Sequence, residues 1–365
     1  MNTWNTLTIA SLGKVVTGKT PPSAKPEQFG DKYPFVTPSD IKFGNKSAAT
    51  ERFLSDRGVE AHKRIQLPKK TVCVVCIGAT IGKVCFTDHL SISNQQINSI
   101  IVDSKKHDPD FVFYIASLLR DTLEAYAGGA ATPIVNKTAF SKIKLRVPNR
   151  DTQRKIAAIL TAYDDLIEVN KRRIALLEKM AEELYREWFV RLRFPGYQDT
   201  RFVKGLPASW AAKRIGEVVH RRKFGKIYRE SDLAEEGSVI VIDQSRSEYL
   251  GFYDGEAQHE ASPESPILLF GDHSCKMVFM TRPFSLAENV IPFTPKKGMP
   301  AYFLFHLIKD LAKTTEYKRH WTDLVNREVL VPAPDLQDKF SKIVKENHRM
   351  VAGLTEANRI LTKTR

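Results

Sequence analysis

The sequence predicts an α+β fold in which two mixed α/β globular domains are separated by two long antiparallel coiled-coil helices, as a pseudo-twofold internal repeat. Three observations predict this fold. The segment 139–160 returns about 184 positions later as 324–344. The segment 77–98 aligns without a gap on 270–291. A long apolar heptad pattern begins within each copy of the first repeated segment, at Ile156 and at Phe340. Self-similarity of this sort indicates tandem units.

The chain divides into four segments on this basis. Its 365 residues exceed one ordinary domain. A third, shorter similarity, between LGKVVTGK at 12–19 and IGEVVHRR at 215–222, marks where each globular part begins. The predicted segments are a first globular domain at 1–150, a first long helix at 151–192, a second globular domain at 193–335 and a second long helix at 336–365.

Apolar runs predict the main elements of both globular domains. In the first domain, buried strands are predicted at 71–77, 83–87 and 97–102, an amphipathic helix at 110–126 and a short strand at 143–147. In the second domain, strands are predicted at 238–242, 266–270, 276–280 and 289–293, with a helix near 300–313.

The two long helices are predicted from an uninterrupted 4,3 spacing of apolar residues. A helix from 152 to 190 would be about 58 Å long, far more than a small core can cover. Asn170, Asn347 and Asn358 fall on the seam, where a polar residue either fixes register or is a tolerated defect. The seam positions are Ile156, Leu160, Tyr163, Ile167, Asn170, Ile174, Leu177, Ala181, Leu184 and Trp188, then Phe340, Val344, Asn347, Val351, Leu354, Asn358 and Leu361.

Charge and composition favour a polyanionic partner. The formal net charge is +14, and residues 1–150 carry 21 Lys and Arg against 12 Asp and Glu. The N-terminal residues do not resemble a signal peptide, and no apolar run approaches the ~20 residues of a membrane span. Only four cysteines are present. We therefore expect a cytoplasmic protein without a membrane contact.

Two motifs are more simply explained by structure than by chemistry. Cys73 and Cys76 form a C-x-x-C, but they lie with Cys85 in apolar strand patterns, so core packing is favoured over a metal site. The segment 78–83 is one residue short of a phosphate-binding loop, and Val84 replaces its Ser or Thr. No metal or cofactor is predicted.

Several phrases in fixed order resemble the DNA specificity subunit of type I restriction-modification systems. The strongest is a junction of strand, Val-Pro, Gln and apolar helix, which occurs at 145–160 and again at 329–344. The second half lacks clear counterparts of GKTPP and NQQIN, and its helix lacks a closing ELYREWFV. Other matching phrases are GKTPP, YPFVTPSDI, IGATIGKV, NQQIN and GGAATPIVNKTAFSKIKL.

The resemblance implies a subunit without catalytic activity. In that family each globular domain is a target recognition domain that reads one half of a split target in double-stranded DNA. Two methyltransferase subunits bind the specificity subunit, and the complex modifies adenine. Restriction subunits, which translocate and cleave DNA, join through the complex.

Base readout requires side chains with matched donors and acceptors on loops of a rigid scaffold. For each residue alone, a solvated surface role is the competing interpretation. In the first domain the predicted DNA-binding residues are Lys19, Thr20, Thr37, Ser39, Asp40, Lys83, Asn94, Gln95, Gln96, Asn136 and Lys137. In the second they are Arg221, Arg222, Lys223, Gln244, Ser245, Arg246, Lys276, Lys318, Arg319, His320, Asn326 and Arg327.

The surface of the first long helix is predicted to bind a partner subunit through Tyr163, Arg172, Arg173, Trp188 and Phe189. The two aromatic residues at its end are expected to be exposed until a partner covers them. Solvated helix faces are the alternative for the charged residues.

Two other functions remain open from the sequence. One is a solitary specificity-like DNA-binding protein, acting as a regulator or a spare allele. The other is a coiled-coil scaffold without sequence-specific binding, against which the excess charge of 1–150 counts. The sequence contains no N-P-P-Y or D-P-P-Y motif, complete Walker A loop or convincing nuclease cluster, so an enzyme is not expected.

Overall fold

The structure, a computed structural model, describes residues 4–128, 133–245, 248–296, 298–313 and 318–365. It contains two compact units, and the division between them falls after Leu166, within a long helix. Arg365 is grouped with the first unit. Among the described residues, none of the helices combines the length and the apolar character that a membrane crossing requires.

The first unit combines small sheets with short helices and the start of the first long helix. Its strands are β1 Asn5–Thr8, β2 Gly13–Thr17, β3 Phe29–Gly30, β4 Tyr33–Val36, β5 Phe53–Leu54, β6 Val72–Val75, β7 Val84–Phe86, β8 Ile92–Ser93, β9 Ile97–Val102 and β10 Lys144–Val147. Its helices are α1 Ile9–Leu12, α2 Asp56–Ala61, α3 Pro109–Ser117, α4 Arg120–Tyr126, α5 Lys137–Lys142 and α6 Arg150–Tyr185.

Three sheets organise this unit. An antiparallel sheet has the order β2-β9-β6-β7, and a second sheet has the order β3-β5-β4-β8 with β4 and β8 parallel. β1 pairs with β10 beside the start of α6. The main core packs α3 against β6 and β7, and Val72, Val112 and Phe140 are fully buried in it.

The second unit repeats this arrangement. Its strands are β11 Phe202–Val203, β12 Leu206–Pro207, β13 Ala211–Arg214, β14 Val219–Arg221, β15 Val239–Ile242, β16 Gly251–Tyr253, β17 Ile267–Gly271, β18 Met277–Met280, β19 Phe284–Leu286, β20 Val290–Pro295 and β21 Glu328–Val331. Its helices are α7 Ile215–Val218, α8 Ala301–Ile308, α9 Trp321–Val325 and α10 Pro334–Thr364.

The sheet orders confirm the predicted internal repeat. The order β14-β20-β17-β18 corresponds to β2-β9-β6-β7, and the pair β13-β21 corresponds to β1-β10. The second sheet is reduced to β16-β15-β19, but its parallel pair β15-β19 corresponds to β4-β8. α8 therefore corresponds to α3, because each follows the equivalent strand.

The predicted helix at 110–126 is wrong as a single element, since α3 ends at Ser117 and α4 begins at Arg120. The Ser117 hydroxyl donates to the carbonyl of Tyr114 at 2.7 Å. A side-chain donor at this position competes with the backbone bonds that would continue the helix. α8 also ends earlier than predicted, where the Leu311 amide donates to the Ile308 carbonyl and closes a tighter turn.

The repeated glutamine of the junction has a direct structural role. Gln153 Nε2 donates to the Pro148 carbonyl at 2.8 Å, and Gln337 Nε2 donates to the Pro332 carbonyl at 2.8 Å. Both glutamines are buried. Each one satisfies a backbone acceptor at the turn where a strand ends and a long helix begins.

Within the second unit, α6 and α10 pair in antiparallel orientation. Asn170 Nδ2 donates to Asn358 Oδ1 at 2.9 Å, and Asn347 Nδ2 donates to the Leu177 carbonyl at 3.5 Å. Farther along α6, the ring of Tyr185 packs 5.9 Å from that of Phe340. Contacts thus move toward the start of α10 as α6 advances. The predicted coiled-coil pairing is confirmed, and α6 continues as a π-helical segment over Arg186–Val190.

A polar contact in each unit joins a globular helix to a long helix, and we call these the helix clamps. In the first unit, Tyr114 Oη on α3 donates to Asp164 Oδ2 on α6 at 2.5 Å. In the second unit, His306 Nε2 on α8 lies 3.5 Å from His348 Nε2 on α10. The clamps occupy corresponding places in the repeat but differ in chemistry.

Candidate nucleic-acid interface

Three predicted loops of the first unit form one surface, which we call the first loop cluster (residues 18–20, 36–40 and 94–96). The Lys19 amide donates to the Ser93 carbonyl at 2.8 Å, and the Asn94 amide donates to the Val36 carbonyl at 3.0 Å. These backbone bonds hold the loops side by side. Thr20 Oγ1 also donates to Gln95 Oε1 at 2.6 Å.

A close backbone approach makes this cluster possible. A Cβ added to Gly18 would lie 2.1 Å from the Asn94 carbonyl oxygen, so only glycine fits. On the next loop, the Thr37 amide and hydroxyl both donate to Asp40 Oδ2, at 2.7 and 2.8 Å. Thr37 and Asp40 are buried and shape the turn, whereas Ser39 is exposed.

Asn94 and Gln96 have a similar shaping role. Asn94 Oδ1 accepts from the Gln96 amide at 3.1 Å, and Asn94 Nδ2 donates to Gln96 Oε1 at 2.9 Å. Asn94 is buried, but Gln95 and Lys19 are exposed. The structure therefore separates residues that build the loops from residues whose side chains extend from them.

Lys83 lies in a second group that sequence reasoning missed in part. Its Nζ is 5.6 Å from the centre of the Phe43 ring, and the Arg120 guanidinium is 5.2 Å from the same ring. Phe43 is 56% exposed. An exposed aromatic ring between two cations is suited to stacking and phosphate contacts with nucleic acid. Phe43, Lys83 and Arg120 lie about 40 positions apart in the sequence, so no local pattern predicts that they meet.

Asn136 and Lys137 begin α5 and are exposed. Asn136 Oδ1 accepts from the Ala139 amide at 2.9 Å, so its side chain caps the helix. The Val135 carbonyl just before it accepts from Asn98 Nδ2 at 3.2 Å, and the Val135 amide donates to the Cys76 carbonyl at 2.9 Å. The Cys76 amide in turn donates to the carbonyl of Gln96 in the first loop cluster at 2.8 Å. Cys73, Cys76 and Cys85 are all buried.

In the second unit, predicted residues from three loops also converge, and we call them the second loop cluster (residues 243–245, 271–276 and 318–320). Gln244 Oε1 accepts from the His273 amide at 3.0 Å, and His273 Nδ1 lies 3.1 Å from the Lys318 carbonyl. Lys276 Nζ donates to the Asp243 carbonyl at 3.3 Å. Burial lowers the pKa of the Lys276 ammonium.

A buried carboxylate organises the third of these loops. Asp272 Oδ1 accepts from the amides of His320 and Trp321, at 3.1 and 2.9 Å, beside the start of α9. The Arg319 guanidinium lies 3.9 Å from Asp272 Oδ2. Lys318 and Arg319 are exposed, whereas His320 is buried.

Ser245 belongs to the second loop cluster, and the remaining predicted residues of this unit lie outside that cluster. Ser245 Oγ donates to Asp243 Oδ1 at 2.8 Å, and Arg246 lies outside the described residues. Exposed residues at the end of β14 are Arg221, whose guanidinium lies 4.8 Å from the Phe224 ring, Arg222 and Lys223. Exposed residues between α9 and β21 are Asn326 and Arg327.

The expected exposure of Trp188 and Phe189 is wrong. Each is 9% exposed and belongs to the core of the second unit. The ring of Phe189 lies 5.1 Å from Phe303 and 5.2 Å from Phe340, which come from α8 and α10. The hydrophobic effect favours this intramolecular cover, because apolar rings from three helices are removed from water together.

Arg172 and Arg173 are exposed on α6, and Arg172 Nε donates to Glu168 Oε1 at 3.2 Å within the helix. Tyr163 is half-buried at its seam position.

An additional feature of the long helices was not predicted from the sequence. Each long helix carries exposed apolar residues one position before the seam. They are Ile159, Leu166, Val169, Leu176 and Met180 on α6 and Ile343, Met350 and Ile360 on α10.

Comparison with known proteins finds type I restriction-modification specificity proteins. Residues 1–179 match the family model of the type I restriction modification DNA specificity domain. The MjaIX specificity subunit of Methanocaldococcus jannaschii, a type I restriction enzyme subunit, is 23% identical over 99% of this chain and 90% of its own length. Residues 1–179 are a type I restriction modification DNA specificity domain.

Two further comparisons give one more similar sequence and one similar fold. The HindI specificity subunit of Haemophilus influenzae is 33% identical over 43% of this chain and 35% of its own length. The crystal structure of the S subunit from M. genitalium has a TM-score of 0.63 at 18% identity, covering 100% of this chain and 94% of that one. The predicted α+β fold and the predicted family are therefore confirmed.

Proposed function

We propose that this chain is the DNA sequence-recognition subunit of a type I restriction-modification complex and reads a bipartite target through its two recognition domains. One observation carries the proposal. The main four-stranded sheet and the terminal strand pair are duplicated, while the polar loops on them differ between the halves. Two similar scaffolds with different loops are suited to reading two different half-sites.

Within this proposal, exposed members of the loop clusters are the leading candidates for DNA contacts. In the first unit these are Lys19, Ser39 and Gln95. In the second unit they include Lys318 and Arg319. Buried partners such as Asn94 and Asp40 are assigned to holding the loops in shape. The other predicted residues, and the boundaries after 150, 192 and 335, stay part of the proposal.

The proposed partners are double-stranded DNA and two methyltransferase subunits, with restriction subunits joining through the complex. The apolar stripe on each long helix supports two equivalent docking sites. Leu176 is 61% exposed and Ile360 is 53% exposed, and they correspond about 184 positions apart in the repeat. Exposed apolar residues at heptad spacing favour packing by a helix of another subunit.

The test of recognition uses the chain co-expressed with methyltransferase subunits of its family. We expect methylated adenines at one split sequence, read by sequencing modified host DNA, and none when this chain is left out. The purified chain without those subunits is expected to methylate no DNA in the presence of a methyl donor. Methylation without sequence preference, or a failure to bind any duplex with any partner, would favour the scaffold alternative. Selective DNA binding without partners would favour the solitary regulator.

The test of docking uses one charged substitution in each stripe. Leu176→Glu and Ile360→Glu are each expected to reduce the bound methyltransferase from two copies to one, as measured by native mass spectrometry. Glu356→Gln, an exposed change on the same face of the chain's last helix, serves as the control and should retain two copies. Two copies in both stripe variants would exclude these stripes as docking sites.

A further inference from the structure

A cavity in the second unit has basic walls. It measures about 600 Å³ and lies between the start of α8 and the side of α10, with Lys342, Lys345 and Arg222 in its lining. Glu264 also lines it, and Lys345 Nζ lies 3.5 Å from Glu264 Oε1. The lining thus contains three cations and one carboxylate. A cavity of this volume falls in the range of small-molecule sites.

One wall of the cavity is the start of a helix whose first residues carry no acidic cap. Pro300 precedes α8 as its N-cap residue, and proline has no side-chain acceptor. The first N–H groups of a helix have no partner within the helix, and its dipole is positive at this end. The start of α8 is therefore suited to an anion.

The first unit shows what normally occupies this place. Asp108 precedes the corresponding helix α3, and its carboxylate accepts from the Phe111 amide at 3.0 Å. The Asp108 amide also donates to Gln153 Oε1 at 3.0 Å. Pro300 has neither a carboxylate nor a backbone N–H. The second unit therefore lacks both of the hydrogen bonds that Asp108 makes in the first unit.

Buried polar atoms in the second unit reflect that loss. Among the described residues, Gln337 Oε1 and Ser341 Oγ have no hydrogen-bond partner. Ser341 is 7% exposed and lines the cavity. About 184 positions earlier the repeat has Ala157, and the positions of Lys342 and Lys345 are held by Ala158 and Thr161. The half without the acidic cap therefore has a hydroxyl in place of Ala157 and two cations in place of Ala158 and Thr161.

We propose that this cavity binds a small-molecule anion whose phosphate or carboxylate group caps α8 in the place that the Asp108 carboxylate holds at α3. The lining also contains Tyr302 and four prolines, Pro300 among them, which would pack against an apolar body. The ligand class is therefore a phosphorylated or carboxylated small molecule with an apolar part. Arg222 is also a predicted DNA-binding residue, whereas Pro300, Lys342 and Lys345 are not, so changes at those three positions test this site apart from DNA recognition.

The test measures the melting temperature of the full chain with and without inorganic phosphate, with sodium chloride holding the ionic strength constant. Phosphate is expected to raise the melting temperature of wild type and of Pro300→Ala. It is expected to lose this effect in Pro300→Asp, because the new carboxylate caps α8 itself. No response in wild type, or an equal response in Pro300→Asp, would overturn the proposal.

Two further arms define the ligand. Lys342→Gln with Lys345→Gln should also abolish the response, whereas Lys339→Gln, an exposed change on the same helix, should retain it. Adenosine monophosphate should bind more tightly than phosphate, and equal binding would refute the apolar part. Duplex DNA affinity should be unchanged in Pro300→Asp. A loss of duplex affinity would instead assign the site to a phosphate of the DNA backbone and overturn the small-molecule ligand.

Discussion

The helix clamp of the second unit makes its stability depend on pH. His306 is buried, and burial first, then the charges of His348 and Lys309, lowers its pKa to about 3. Burial and then Lys309 lower the pKa of His348 to about 4. The ordinary value is 6.5 for both. In the folded protein both imidazoles stay neutral where unfolded ones would be charged.

The direction of the effect follows from proton binding. Between the depressed pKa values and 6.5, the unfolded chain binds more protons than the folded chain, so acid favours unfolding. The contribution is fully present above the unfolded pKa and is lost as pH falls toward the folded values. When the pH falls from 7.5 to 5, each histidine should lower the free energy of unfolding by about 2 kcal/mol, and the two together by about 4 kcal/mol.

The assay is urea unfolding followed by tryptophan fluorescence. Trp188, Trp210 and Trp321 lie in the second unit, so a Trp4→Phe background makes the signal specific for that unit. The double variant His306→Phe and His348→Leu keeps the cluster apolar and removes both protons. Its loss of unfolding free energy from pH 7.5 to pH 5 should be about 4 kcal/mol smaller than that of the parent.

A control separates this clamp from histidines in general. His220 is exposed in the same unit, and His220→Gln should keep the pH slope of the parent. If the double variant loses as much stability between pH 7.5 and pH 5 as the parent does, the clamp is not the origin of the pH dependence and the reasoning is refuted.

Three other changes have expected outcomes. Asn170→Leu should destabilise the second unit by about 1–3 kcal/mol because it leaves Asn358 unpaired, whereas replacing both by Leu should recover most of that loss in urea unfolding. Gln153→Leu should lower the free energy of unfolding by about 1–3 kcal/mol and Gln337→Leu should lower it less, because Gln153 hydrogen-bonds two backbone groups and Gln337 only one. Equal losses in the two variants would contradict this. Lys19→Ala should weaken all duplexes alike and lower the salt dependence of DNA binding by about one phosphate contact, and unchanged binding at every salt concentration would remove Lys19 from the interface.

The regular elements were largely accessible from the sequence because their signals are local. The strands at 72–75 and 267–271 lie in continuous apolar runs, and the seam of α6 repeats its own period. The repeat itself is a comparison of the chain with itself. The break after Ser117 was missed because one hydroxyl competes with the backbone, which no apolar periodicity records.

The candidate interface was accessible only in part. Composition and loop position identified Lys19 and Gln95, which are exposed, but equally identified Asp40 and Asn94, which are buried. Burial depends on which loops meet, and that depends on backbone bonds such as Asn94 to Val36. The grouping of Lys83 with an exposed ring is missed for the same reason.

By itself, the sequence determined the duplication, the two long helices with their antiparallel partner faces and the membership in a specificity family. These properties are carried by periods and phrases that a linear chain displays. Tertiary structure alone decided that Trp188 and Phe189 are core residues and that corresponding clamps differ between the halves. It also decided that a cavity stands where Asp108 caps the other half. The physical reason is that burial and hydrogen-bond satisfaction depend on groups far apart in sequence, which meet only when the chain folds.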